Sequence, residues 1–206
     1  MPHRVFLLSP ARCDGKRAQV VLRDAASFPL ARRLRSAGGA PLGEVFSFLS
    51  GLYFRGKLAY ARRFAETPAG AGGAWVITTN RGLLSPDTPV SVDDLRRFGC
   101  TDIHEADPAY RDALLRDARG LAATLRADAE VVLLGSVATG KYVDVLAEAF
   151  GGRLRFPAEF AGRGDMSRGG LLLRCVDAGR ELTYVPLAGA ARHGKRPPKL
   201  EPRAKG

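Results

Sequence analysis

The sequence predicts one α/β domain with a mostly parallel sheet flanked by helices, followed by a basic C-terminal tail. Three observations carry this. Short apolar runs of strand length recur at residues 4–8, 74–79 and 130–134. Segments with helical spacing and recognisable caps lie between them, and that alternation builds a parallel sheet covered on both faces. The chain has 206 residues, 46% hydrophobic and 26% charged, which suits a single buried core. The domain is expected over residues 1–188 and the Pro-, Gly- and Lys/Arg-rich tail over 189–206.

The elements follow in order. Residues 4–8 form a buried strand stopped by Ser9-Pro10, and residues 19–23 a second short strand. Helices are expected at 29–35, with Pro29 in the first turn and Gly38-Gly39 as the stop, at 42–49, and at 54–66, which is basic. The small-residue stretch 67–73 is a loop, and 74–79 a core strand. Residues 91–98 form a short helix capped by Ser91. The clearest helix runs from Pro108 to about residue 126, with Asp107 as N-cap and Pro108 at the first helical position. A buried strand at 130–134 leads through the loop 135–141 into a helix at 142–150, ended by Gly151-Gly152. A short strand at 153–156, a glycine-rich loop at 161–168, an apolar segment at 171–176 and a last strand at 181–186 complete the domain.

Composition excludes several classes. Cys13, Cys100 and Cys175 are odd in number and widely spaced, and His3, His104 and His193 lie apart from them, so neither a disulfide framework nor a zinc site is expected. No metal and no cofactor is predicted. The apolar run at residues 5–8 is too short for a signal-peptide core, and no stretch approaches a membrane span, so a cytoplasmic protein without membrane contact is expected. Nothing in the sequence indicates the oligomeric state. The net charge of +11 favours acidic partners, nucleotide or nucleic acid. Arginine supplies 26 of the 32 basic residues, however, as an Arg/Ala/Gly-rich coding bias also would.

The lysines are more selective. Four of the six directly follow glycine, at Lys16, Lys57, Lys141 and Lys195, more often than chance placement among 24 glycines. Glycine lets a backbone approach an anion and lysine adds a flexible point charge; coincidence in turns is the alternative. In open α/β sheets ligands sit beyond the carboxyl ends of the strands, so the loops after residues 8, 79, 134 and 156 should share one side.

Four loops hold the candidate residues. Gly135-Ser136-Val-Ala-Thr139-Gly140-Lys141-Tyr142 follows a strand and opens a helix, matching the phosphate-loop pattern G-x-x-x-x-G-K. Tyr142 stands where that pattern has the magnesium-binding Ser/Thr. The segment holding Gly162, Arg163, Asp165 and Arg168 could form an anion nest, with Asp165 as acid/base; Asp165 or Ser167 could equally cap a helix. Ser9, Cys13, Lys16 and Arg17 combine a possible thiol nucleophile with positive charge that would lower its pKa, or bind an anion through Lys16 and Arg17. Asn80 and Arg81, after Thr78-Thr79, could read a base or sugar or simply make a turn. Tyr53, ahead of Lys57, could stack on a base or belong to the core.

In order, Ser9, Cys13 and Lys16; Leu52-Tyr53-Phe54 with Lys57; Gly82-Leu83-Leu84 with Pro86-Asp87; Gly135 with Tyr142; and Pro157 with Gly162 and Gly164 resemble the pattern of a group of uncharacterised bacterial and phage α/β proteins. Some members are similar to the uracil-glycosylase-like domains of tRNA base-modifying enzymes. The resemblance implies chemistry on a nucleobase or nucleic acid. The long 135–141 loop and the basic tail depart from that pattern.

Three functions stay open at this point. The first is an anion pocket that binds or processes a nucleotide or a base in nucleic acid. It requires Lys16, Lys57, Asn80, Lys141 and Arg163 to converge near Asp165. The second is a non-catalytic nucleic-acid-binding protein using the basic helix 54–66 and the tail. The third is an atypical phosphate-loop enzyme.

Overall fold

The computed structural model describes residues 3–68, 70–101, 103–138 and 140–187, with 194, 197, 198 and 200 beyond them. Its centre is β1 (Arg4–Leu8), buried along its whole length. A continuous apolar run of this kind belongs in a parallel strand covered on both faces. β3 (Ala74–Ile77) pairs parallel on one side of β1 and β6 (Glu130–Leu134) on the other. β7 (Leu154–Pro157) adds in parallel to β6. The edges are antiparallel: β4 (Leu83–Leu84) on β3 and β8 (Tyr184–Pro186) on β7. The strand order is β4-β3-β1-β6-β7-β8, and a separate ribbon pairs β2 (Ala40–Pro41) with β5 (Pro89–Val90).

Eight α-helices are described: α1 (Lys16–Leu22), α2 (Pro29–Arg35), α3 (Leu42–Ser50), α4 (Leu52–Phe64), α5 (Val92–Cys100), α6 (Pro108–Thr124), α7 (Gly140–Phe150) and α8 (Asp165–Ala178). The chain leaves β1 through α1–α4 to reach β3 on one side, then passes through α6 to β6 on the other. Right-handed crossovers running in opposite directions put their helices on opposite faces. Accordingly α4 packs with α8 on one face and α6 with α7 on the other. The reversal of direction falls between β1 and β6, the place where doubly wound sheets open a crevice.

Two buried cations mark the ends of β1. At its start, the Arg4 guanidinium bonds Glu130 at 2.8 and 2.9 Å and Glu181 at 2.8 Å. Just past its end, Lys57 reaches Ser9. The caps behave as their residues require: Ser91 and Asp94 form a reciprocal capping box on α5, and the Asp107 carboxylate accepts from the Ala109 amide at the start of α6.

Several expectations are corrected. Residues 19–22 are helical, not a strand, and Arg23 caps the helix. Ala18 and Val21 turn inward while Val20 is 39% exposed, so a one-sided helical stripe overrides the β-branched pair. The expected glycine-rich loop ends early, because α8 starts at Asp165 and includes the apolar run 171–176. Gly169 lies inside this helix for a packing reason: a Cβ on it would sit 2.7 Å from Tyr53 Cα, and one on Gly56 would sit 2.7 Å from the Gly169 carbonyl oxygen. The two helices touch backbone to backbone there. Gly56-Lys57 therefore lies within the expected helix and presents no backbone loop to an anion. The last strand is only Tyr184–Pro186, antiparallel to its neighbour. Lys195 and most of the tail lie outside the described residues.

Candidate functional site

At the carboxyl ends of β1 and β6 the crevice widens into a cavity of about 650 Å³. This is within the usual size of small-molecule sites. One wall is the stretch from Ser9 to Asp14 that leaves β1. A second comes from Leu49, Ser50 and Tyr53 at the α3–α4 junction. Ser136, Lys141 and Tyr142, following β6, form a third. Thr79, Phe98, Gly99, Thr101, Ile103 and His104 close the side beyond β3, with Asp165 at the start of α8.

The floor is Ser9 over Lys57. Lys57 is 1% exposed, and its Nζ donates to the Ser9 carbonyl at 2.6 Å and to Ser9 Oγ at 2.8 Å. The same nitrogen lies 4.3 Å from the centre of the Tyr53 ring and 5.0 Å from that of Phe54. Loss of water pulls the Lys57 pKa down to about 7; Asp165 opposes the shift and Arg168 adds to it. Gly135 makes this floor possible, since a Cβ there would meet Ser9 Cβ at 3.0 Å and Leu133 Cδ1 at 3.3 Å.

Tyr53 is nearly fully buried, and its hydroxyl has no hydrogen-bond partner among the described residues. Arg168 stands beside it, with Nε and one terminal nitrogen on the Phe160 carbonyl, and its positive charge works against the rise in the Tyr53 pKa. Burial pushes the Tyr53 hydroxyl up to about 12, so it is a neutral donor at ordinary pH. Burial likewise raises the pKa of Tyr142, reinforced by Tyr53 and Asp165. Across the cavity, the Tyr110 hydroxyl of α6 donates to the Lys141 carbonyl at 2.8 Å and fixes the first turn of α7. The Lys141 ammonium lies 5.1 Å from the Tyr142 ring centre.

Of the residues singled out from sequence, Ser9, Cys13, Tyr53, Ser136, Lys141, Tyr142 and Asp165 line the cavity, and Lys57 and Gly135 lie directly behind it. Gly140 opens α7. Thr139 lies outside the described residues. The others do not converge. Lys16 is exposed at the start of α1, and Arg17 donates to the Phe48 carbonyl beside a separate shallow groove. Asn80 ties its loop to the Arg97 carbonyl and Thr101, and Arg81 pairs with Asp94 at 3.2 Å. Gly162 makes a turn at φ +69°, while Arg163 bonds the Glu159 carbonyl and Ser167. The expected convergence of five basic and polar side chains is thus reduced to Lys141 in the wall and Lys57 beneath it.

Two further expectations change. Asp165 is not an N-cap: Gly164 holds that position, and the Asp165 side chain is 71% exposed and 3.9 Å from Arg168. A carboxylate in the first turn suits the helix dipole. Cys13 is no thiolate. Its thiol is buried against the Ala11 carbonyl at 3.4 Å, and burial, aided by Asp14, pushes it up to about 12. The positive charge expected to activate it is consumed locally, with Arg12 bonded to Asp14 at 2.6 and 2.9 Å.

Sequence reasoning missed the contact between Ser9 and Lys57, 48 residues apart, and the contribution of Phe98 and His104. Neither has a local signal. Among the described residues no cluster of His, Cys, Asp and Glu is arranged for a metal, and no helix is long and apolar enough to cross a membrane. Comparison with known protein families, curated proteins and solved structures finds none that matches this chain.

Proposed function

We propose that the cavity between β1 and β6 binds a nucleotide or a nucleobase. The observation that carries this reading is its place at the topological switch point of a doubly wound sheet. There, Tyr53, Tyr142 and Phe98 supply aromatic surface, and Lys141 stands in the first turn of α7. Rings offer a flat apolar seat for a base, and a lysine at a helix start complements phosphate. The resemblance to base-handling domains points the same way.

The non-catalytic nucleic-acid reading has less support. The helix it relies on, α4, is enclosed by α8 and the sheet, with eight of its thirteen residues buried. Its outward Arg62 is paired with Asp87. The phosphate-loop reading loses its metal ligand, because Tyr142 is a buried wall residue.

A thermal-shift screen of nucleotides, free bases and short DNA and RNA tests the proposal. A ligand present at 100 times its Kd stabilises the fold by about 2.7 kcal/mol. For a chain of this size that raises the melting temperature by roughly 5–10 °C. Lys141→Ala should weaken a phosphate-bearing ligand about tenfold and leave a free base unaffected. If no nucleotide or base shifts the transition, the proposal fails.

A further inference from the structure

The Ser9–Lys57 contact does more than hold the end of β1. We propose that Ser9 and Lys57 form a serine–lysine dyad, in which Ser9 Oγ attacks the acyl carbonyl of an ester or amide seated in the cavity. This rests on the cavity being a ligand site, but not on the ligand being a nucleotide.

Four observations carry it. Ser9 Oγ and Lys57 Nζ are 2.8 Å apart, which is proton-transfer distance. Ser9 forms part of the cavity wall, whereas Lys57 lies wholly behind it, so the amine acts on the cavity through Ser9. The second bond from Lys57, to the Ser9 carbonyl at 2.6 Å, fixes the amine's orientation. A neutral amine can make that bond with one N–H and still offer its lone pair to Oγ–H. Finally, burial holds the Lys57 pKa near 7, so an appreciable neutral fraction exists at ordinary pH. The charged or titratable groups acting on it are Asp165 and Arg168 from α8, with the Tyr53 ring against its face.

The step balances without a cofactor. Ser9 Oγ bonds to the carbonyl carbon while its proton passes to Lys57 Nζ, and the carbonyl oxygen takes the negative charge. Collapse expels the alcohol or amine, which leaves with the proton from Lys57. Water then attacks the seryl ester, one of its protons moves through Lys57 back to Ser9 Oγ, and the acid is released. First-turn N–H groups of a helix have no intrahelical partner. α7 begins with Gly140 at this wall, next to Lys141 and Tyr142, and its first-turn N–H groups would be the donors to the developing oxyanion. Acyl rather than phosphoryl transfer is favoured because spread phosphoryl charge asks for several cations. Of the two cations in the wall, Arg12 is already bonded to Asp14, leaving Lys141.

The test is covalent labelling of the full chain with a fluorophosphonate and, in parallel, a β-lactone, followed by intact mass and peptide mapping. One adduct per chain on Ser9 is expected, absent from Ser9→Ala. Its rate should rise with pH to half its maximum near the Lys57 pKa of about 7. Lys57→Arg keeps the charge and removes the base, and should slow labelling by about 100-fold or more. Because a Lys57 variant could fail to fold, the pH profile of the unaltered protein and the Ser9→Ala comparison decide by themselves. No Ser9 adduct at about pH 9 in protein with an intact melting transition overturns the dyad. A labelling rate flat across that pH range also overturns it and leaves Lys57 a structural tether. Labelling of Ser9 without any nucleotide-induced thermal shift would refute the nucleotide reading and keep the dyad.

Discussion

Gly169→Ala isolates the contact that positions the cavity wall. The added Cβ would lie 2.7 Å from Tyr53 Cα and 2.8 Å from the Leu52 carbonyl oxygen. Both are backbone atoms, so no rotamer change relieves the clash, and α8 must retreat from α4 by roughly 1 Å to restore ordinary contact. Overpacking of this kind costs about 1–3 kcal/mol, and the better helix propensity of alanine returns about 1 kcal/mol. The net loss, up to about 2 kcal/mol, lowers the melting temperature by up to roughly 8 °C in a chain of this size. Gly170→Ala is the internal control. Its Cβ would meet only the flexible tip of Arg174 at 3.3 Å and Leu200 at 3.6 Å. It should be neutral or stabilising by up to about 1 kcal/mol. Thermal and urea unfolding of the pair provide the assay. Since Tyr53 moves with α4, the first variant should also weaken ligand binding, and the second should not. If Gly169→Ala is as stable as Gly170→Ala, the backbone contact between α4 and α8 is not what holds this wall.

Two more outcomes are expected. The folded-state pKa of Lys57 lies near 7, below its ordinary value of 10.5. The unfolded chain therefore binds more protons between those values, and stability should rise as pH increases. Above about pH 9 the raised pKa of Cys13, and then those of the buried tyrosines, work in the opposite direction. The clean window is therefore pH 7–9, measured as the stability difference between the unaltered protein and Lys57→Met; a difference constant across it would contradict a depressed Lys57. Thiol counting with an aromatic disulfide should find one fast-reacting cysteine, exposed Cys100, while Cys13 and Cys175 react only on unfolding. Fast modification of Cys13 in the folded protein would contradict its burial.

Much of the architecture is legible because its signals are local. The apolar runs at β1 and β6 required burial on both faces, and Ser91 and Asp107-Pro108 announced their helices through groups only a few residues away. Short segments were misread where tertiary contact decided, as at α1, whose Val20-Val21 pair has strand propensity but one-sided burial. The loop at 161–168 was expected to run past the true start of α8, because the backbone partner of Gly169, Tyr53, is more than a hundred residues distant.

The candidate site divides in the same way. Lys141 and Tyr142 were found because a strand, a glycine loop and a helix start are contiguous in sequence and their geometry follows from local backbone rules. Lys16, Arg17, Asn80, Arg81 and Arg163 shared that local chemistry, yet each found a surface position, a neighbouring carbonyl or a carboxylate outside the cavity. Lys57 looked like one more anion-binding lysine. Only the packing of α4 across the end of β1 removed its water and placed its nitrogen on Ser9. The sequence alone determined which segments would be strands and helices and which strand-end loops could carry charge. The tertiary structure decided which charges are neutralised on the surface and which single amine is left dry beside a hydroxyl. Burial and pairing depend on residues far apart in the chain, and no local pattern encodes them.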